Sequence, residues 1–278
     1  MMKLVARLVP VITVSVCFAA SAGVVPYQDF ETDTSGWTYG PPYGSLVRVS
    51  TGTDGILSSG GNYHAVADGD TTGTYPVGPY SWYGTQNTVF WESAYASLDV
   101  YLDTGWSEDM GFDLSLAVNL QGSPASRDFI FHVGMVRDPG DNVVKLAVNS
   151  DSMSWYAVNP SRILGADMYV VPQSGWYTFE HDLRDASGVL AVDFNIRDSL
   201  GALVWTSTLS NPLDTIPAVA GGPLYSWLAF VDADNGSFSG VAIDNHFVNI
   251  PEPCSAFLLG VWGVVLLRRR RRVARQGT

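Results

Sequence analysis

Phe112-Asp113-Leu114-Ser115-Leu116-Ala117-Val118-Asn119-Leu120 decides the fold class. Phe112, Leu114, Leu116, Val118 and Leu120 take every second position, and Asp113, Ser115, Ala117 and Asn119 fill the gaps. A period of two turns successive side chains to opposite faces of a strand, one toward a core and one toward water. Upstream, Tyr95 to Leu102 alternates the same way, with Leu98, Val100 and Leu102 on one side. Downstream, Phe129 to Val136 is apolar on both faces and predicts a central strand. Asp138-Pro139-Gly140-Asp141-Asn142 then turns the chain into Val143 to Asn149, a hairpin.

The same pattern extends in both directions. Leu46 to Ser50 and Tyr63 to Ala67 read as short strands. Gly175 to Leu183, Val189 to Arg197 and Leu203 to Leu209, joined at Arg184 to Gly188 and Asp198 to Gly201, predict a three-strand meander. Tyr225 to Val231 and Gly240 to Val248 are expected to close the sheet. No stretch carries a 3.6-residue period long enough for a core helix, and no internal repeat is visible. Strands at near-regular spacing with Gly and Pro turns predict an all-β, two-sheet antiparallel β-sandwich.

The two ends follow a different logic. Lys3 and Arg7 precede an apolar run from Leu8 to Ala20, and Ala20-Ser21-Ala22 places small residues before Gly23. This is the layout of a cleaved signal peptide over residues 1–22. At the other end, Cys254 to Leu267 is a 14-residue uncharged, nearly all-apolar run that abuts Arg268-Arg269-Arg270-Arg271-Arg272. As a helix it spans about 21 Å, short of the ~30 Å hydrocarbon layer. Arginine stems at Arg268 and Arg269 that snorkel, and local thinning, close that gap. No protein core holds five consecutive arginines, so a transmembrane helix with a cytoplasmic basic end is expected.

Pro251-Glu252-Pro253, the apolar run and the arginine block, in that order at the C-terminus, resemble the PEP-CTERM sorting signal of Gram-negative bacteria. The resemblance covers residues 250–278: motif 251–253, membrane segment 254–267, basic tail 268–278. It implies recognition by an exosortase, a membrane-embedded cysteine protease, with Pro251, Glu252 and Pro253 as the recognition element. It further implies an inner-membrane intermediate, then delivery to the cell surface or extracellular matrix, often beside exopolysaccharide production. Cys254 departs from the small hydroxyl residue more usual after the motif.

Between the two signals, residues 23–249 form the expected sandwich domain. From 23 to 250 the chain holds 7 basic and 26 acidic residues, a net charge of −19. Such a surface repels nucleic acid and anionic polymers and suits a cation-rich exterior. Cys17 and Cys254 are the only cysteines, and both lie in the terminal signals, so no disulfide staples the domain.

Tyr27 to Glu31 followed by Thr34-Ser35-Gly36-Trp37, together with the closing Gly240 to Phe247, is similar to the first and last strands of jelly-roll carbohydrate-binding modules and MAM-type adhesion domains. The fold so implied is a jelly-roll, concanavalin-like or galactose-binding-like sandwich. The resemblance also makes Glu31 and Asp244 candidate ligands of a structural Ca²⁺. Asp232-Ala233-Asp234-Asn235-Gly236-Ser237 spaces oxygen ligands on alternate residues, which makes Asp232 and Asp234 a weaker calcium candidate. Ile243 stands at the twelfth position from Asp232, where an EF-hand needs Glu, so that motif is excluded. An ordinary acidic turn accounts for the same residues.

Tyr80, Trp82 and Tyr83, within Pro79 to Gly84, read as an aromatic cluster in a loop. Such rings stack on sugars or fold down over the sandwich edge. His64, His132, His181 and His246 show no zinc spacing, and no nucleophile elbow or phosphate loop is present. The laminarinase-type Glu-x-Asp-x-x-Glu fails, because Glu31-Thr32-Asp33 runs on to Gly36 where the second Glu belongs. The other body glutamates, Glu92, Glu108 and Glu180, form no visible pair. The expected function is therefore non-enzymatic: an exported structural or adhesive protein that binds polysaccharide. A glycan-degrading sandwich enzyme and a protein-binding adhesin are the alternatives.

Overall fold

The computed structural model describes residues 27–69, 78–83, 93–107, 110–120, 126–138, 141–151, 168–216, 218–231 and 240–249. The predicted signal peptide, the sorting signal with Pro251 to Pro253 and Arg268 to Arg272, and Asp232 and Asp234 lie outside the described residues. Among those residues no helix is long and apolar enough to cross a membrane.

The strands in chain order are β1 (Tyr27–Gln28), β2 (Trp37–Thr38), β3 (Ser45–Ser50), β4 (Tyr63–Asp68), β5 (Tyr80–Trp82), β6 (Ser93–Leu102), β7 (Gly111–Leu120) and β8 (Ser126–Asp138). They continue with β9 (Asp141–Asp151), β10 (Tyr169–Val170), β11 (Gly175–Asp185), β12 (Val189–Arg197), β13 (Leu203–Thr215), β14 (Ala220–Val231) and β15 (Val241–Asn249). They form two antiparallel sheets packed as a sandwich. The first runs β13-β12-β11-β6-β15-β4-β3, with β1 also on β15; the second runs β10-β9-β8-β7-β14-β5-β2. The chain crosses between the sheets repeatedly: β1, β3, β4 and β6 lie in the first and β2 and β5 in the second, β7 to β10 extend the second, β11 to β13 extend the first, and β14 then joins the second beside β7 before β15 joins the first beside β6. First and last strands meet: Tyr27 pairs with Phe247 and Gln28 with His246.

The core is made by the alternation read from the sequence. Leu98, Val100 and Leu102 of β6 face Phe112, Leu114 and Leu116 of β7, and all are buried. Phe131 of β8 is the hinge of the packing, edge-on to Phe179 of β11 at 5.0 Å and to Phe194 of β12 at 4.9 Å. Such pairs add about 0.5–1.5 kcal/mol beyond their buried area. His181 of β11 completes the cluster, 4.8 Å from Phe131. Its Nε2–H donates to the Phe129 carbonyl across the sandwich at 3.0 Å. Burial drives the imidazole down to about 3, so it is neutral at ordinary pH. Gly111 is required where β7 passes β8, because a Cβ there would run into the Val133 carbonyl.

Three expectations need correction. Tyr225 to Val231 and Gly240 to Val248 do not close one sheet: β14 belongs to the second and β15 to the first. Tyr80 to Trp82 is a strand, not a loop, paired with both β14 and β2. The polar alternate side of β7 is not bathed in water: Asp113, Ser115 and Asn119 are as buried as the core side. The ladder sets His132 opposite Asp113 and Trp227 opposite Ser115, so large neighbours crowd that face.

Candidate functional site

The outward face of the second sheet carries the candidate site. Tyr225 of β14 pairs with Trp82 of β5 on one side and with Ala117 of β7 on the other, and Ala117 pairs with Asp128 of β8. One row across four strands therefore reads Trp82, Tyr225, Ala117, Asp128. The Trp82 and Tyr225 rings are stacked, centroids 6.1 Å apart and planes 22° apart. Trp82 is 48% exposed, so this ring presents a free apolar surface. The Tyr225 hydroxyl donates to Asp128 Oδ1 at 3.1 Å, which anchors the polar end of the row. Burial, then the Asp128 charge, drives the Tyr225 phenol well above its ordinary value and keeps it a donor.

The next row places Tyr80 beside Trp227, with Ser115 and Ile130 beyond. Trp227 Nε1–H donates to the Gly78 carbonyl at 3.0 Å, and Tyr43 meets Tyr80 edge-on at 5.0 Å. A third row sets His132 against Asp113, Nδ1 to Oδ1 2.6 Å. His132 Nε2 and Ser115 Oγ, both buried, have no hydrogen-bond partner among the described residues. Buried polar atoms of this kind call for a ligand or water.

Of the sequence-predicted stacking residues, Trp82 and Tyr80 stand on this face. Tyr83 does not: it is 3% exposed, its ring packs 5.8 Å from His246, and its hydroxyl meets His246 Nε2 at 2.8 Å. As the next residue along an extended chain it turns to the opposite side from Trp82, into the core. Tyr225, Trp227, Asp128 and the Asp113–His132 pair were not singled out from sequence. The one local signal was the Tyr-x-Trp spacing of Tyr225 and Trp227, which an ordinary strand also shows.

Glu31 and Asp244 lie apart from this face, and both grip the loop between β3 and β4. Glu31 Oε1 accepts the backbone N–H of Asn62 at 2.7 Å and of Tyr63 at 2.8 Å. Asp244, fully buried, accepts the Gly60 N–H at 3.0 Å and its neighbour Asn245 N–H at 2.9 Å. Burial pushes its carboxyl up to about 6, against the downward pull of those amides. Gly61 must be glycine: its φ is +59° and a Cβ would strike the Glu31 carboxylate. As a calcium cage the residues fit poorly. The carboxylates are turned onto loop amides, and among the described residues no three acidic, histidine or cysteine side chains converge.

Arg48 ties the Phe30–Glu31 backbone to the start of β4. Arg48 Nε donates to the Phe30 carbonyl at 2.6 Å, its Nη2 to the Glu31 carbonyl, and its guanidinium lies 3.3 Å over the Tyr63 ring. Arg48→Ala is expected to lower unfolding free energy by about 2 kcal/mol, from lost charged hydrogen bonds and the ring contact. Arg48→Lys should restore little, since an ammonium lacks the planar fork. Urea titrations measure both. A calcium titration that raised the melting temperature of the parent would return Glu31 and Asp244 to the cation role.

No protein-family model and no curated protein matches the chain. Among solved structures it is similar to the CBM2 module of the evolved Dit of Lactobacillus casei BL23 phage J-1, at 12% identity over 82% of this chain and 95% of that one, TM-score 0.42. It is similar to basic winged bean lectin, solved with Tn-antigen, at 10% identity over 81% and 96%, TM-score 0.37. It is also similar to an endo-1,3-beta-glucanase from Streptomyces sioyaensis, at 12% identity over 78% and 97%, TM-score 0.31.

Proposed function

We propose that this chain is an exported, exosortase-processed protein of the bacterial surface or matrix, and that it binds a neutral polysaccharide on the outward face of its second sheet. The carrying observation is the stacked Trp82–Tyr225 pair, half-exposed at Trp82 and in line with Asp128. Flat rings take the apolar C–H face of a sugar, and the buried Asp128 holds the Tyr225 ring in line through its hydroxyl. The net charge of −19 over residues 23–250 disfavours an anionic chain. Signal peptidase and exosortase are the processing partners in this reading, acting at the inner membrane on residues 1–22 and 250–278. Nucleic acid is not a partner.

The enzyme alternative finds less support on this face. Asp113 and Asp128 are its carboxylates among the described residues outside the strand ends. Asp128 pairs with Ala117, four residues along β7 from Asp113. At about 3.4 Å per residue that offset is about 14 Å, beyond the roughly 5–10 Å that spans a scissile glycosidic bond.

A glycan array probed with the full-length chain in mild detergent tests the binding reading. Neutral glycans should be retained and sulfated or uronic ones should not. Trp82→Ala is expected to weaken the best neutral ligand at least tenfold by calorimetry, with the melting temperature changed only slightly, because about half of the ring is exposed. A blank array, or full retention by Trp82→Ala, would refute it.

A further inference from the structure

The outward face of the first sheet carries a strip of rings outside the core. Across β1, β15, β6 and β11 one row runs Tyr27, Phe247, Ser97, Glu180. The row beside it sets Tyr95 against Asp182, and Asp182 against Asp193. Tyr27 meets Phe247 edge-on at 6.4 Å, and Tyr95 meets Phe247 at 6.0 Å. Tyr27 is 60% and Phe247 37% exposed. The tyrosines are held at their tips: the Tyr27 hydroxyl donates to Asn245 Oδ1 at 3.4 Å and the Tyr95 hydroxyl to Glu180 Oε1 at 2.8 Å. Beside the strip the charges do not balance. β6, β11 and β12 turn Asp99, Glu180, Asp182 and Asp193 to this face, against Arg184 and Arg197. Both guanidiniums are engaged elsewhere: Arg197 Nε donates to Glu180 at 2.8 Å, and Arg184 donates twice to Asp193, at 2.7 and 3.0 Å. Asp99 accepts from Ser59, Thr178 and Asn245. Asp182 has no hydrogen bond or ion pair among the described residues. Burial, then the charges of Asp193 and Glu180, push its carboxyl up, and Arg184 offsets this only in part.

We propose that this strip is a second binding site, for a cationic amino-sugar polymer whose rings stack on Tyr27, Phe247 and Tyr95 and whose free ammonium sits on Asp182. The charge pattern selects the occupant. Ring faces take the apolar C–H side of a sugar and attract a cation as well. Tyr95 and Asp182 face each other across the ladder, about 4.5–5.5 Å apart, so one sugar unit can meet a ring and the carboxylate together. A neutral sugar would leave the Asp182 charge without a counterpart. An anionic polymer or an anionic lipid surface would be repelled by the four carboxylates. An extended peptide adds to a sheet through backbone groups at an open edge. Here β15, β6 and β11 are paired on both sides, so the face offers side chains alone. The site does not rest on the Trp82 reading, which concerns the other sheet. With that reading it makes the domain a bridge between two polysaccharides.

The test titrates the full-length chain, in mild detergent, with a glucosamine oligomer and with the same oligomer fully N-acetylated. Acetylation removes the charge and keeps the ring. Calorimetry should show the free-amine oligomer bound at least about tenfold more tightly, with the difference shrinking as salt is added. Asp182→Asn should abolish that preference without lowering the melting temperature, because the charge it removes is opposed by Asp193 and Glu180. Phe247→Ala should weaken the free-amine oligomer at least about tenfold. Phe247→Leu, which stays apolar but loses the flat face, gives the same reading if the alanine variant fails to fold. Trp82→Ala should leave this oligomer unaffected even if it loses the neutral ligand, which separates the two sites. No binding of the free-amine oligomer, equal binding of the two oligomers, or a preference that survives Asp182→Asn would overturn the proposal. So would full retention by the Phe247 variants, oligolysine bound as tightly as the amino sugar, or a loss on Trp82→Ala.

Discussion

Acidification from pH 7 to pH 4 is expected to remove about 4 kcal/mol of folding free energy, a large part of the 5–15 kcal/mol a domain possesses. The source is two buried imidazoles. His181, between Phe131 and Phe194, and His246, beside Trp37 and Tyr83, are both driven by burial to about 3. The unfolded chain takes up their protons near pH 6.5, whereas the folded chain holds both rings neutral down to about pH 3. Their contribution is complete above pH 6.5 and is lost at about 1.4 kcal/mol per pH unit for each ring below it. Asp244 works in the opposite direction. Its folded value of about 6 lies above the unfolded 3.8, so it contributes fully below that lower value and loses the contribution as pH rises through 6. It returns about 3 of the roughly 7 kcal/mol the histidines lose. Urea unfolding at pH 7, 5.5 and 4 measures the sum. His181→Gln, which keeps a donor for the Phe129 carbonyl, should remove about half of the histidine share. A flat profile would show that neither ring is sealed from water.

Phe131→Ala is the second large effect, an expected loss of about 3–5 kcal/mol. Phe131 is fully buried, and three rings from the opposite sheet converge on it: Phe179 at 5.0 Å, Phe194 at 4.9 Å and His181 at 4.8 Å. All come from β-sheet backbones held by ladders on both sides, so the cavity has little freedom to collapse. Phe131→Leu should cost less than half as much, and equilibrium unfolding compares the two. An alanine loss below 1 kcal/mol would mean that the two sheets slide together over the gap.

The site was less legible than the fold, and the residues show why. Trp82 could be picked out because an exposed-looking aromatic run is a local feature. Its partner Tyr225 is 143 residues away in sequence, and only the β5–β14 ladder makes them neighbours. Asp113 and His132 look like one polar and one packed residue in separate strands until the β7–β8 register sets them opposite. The resemblance of the first and last strands pointed to Glu31 and Asp244 as candidate calcium ligands. That both carboxylates grip loop amides, while Arg48 holds the Phe30 and Glu31 carbonyls, is a fact of side-chain packing.

The sequence by itself determined that the body is all-β, where its long strands run, and that its meander and hairpins are antiparallel. Those properties depend on a two-residue period and turn residues within a few positions, both local. Only the tertiary structure decided which strands share a sheet, which face is covered, and which ring of Tyr80 to Tyr83 goes inside. β15 shows the reason: a register shift between Asp244 and Phe247 breaks the alternation, so Ile243 and then His246 and Val248 are all buried. Strict alternation cannot foretell this bulge, which sits at Asn245, a residue in the left-handed region at φ +46°.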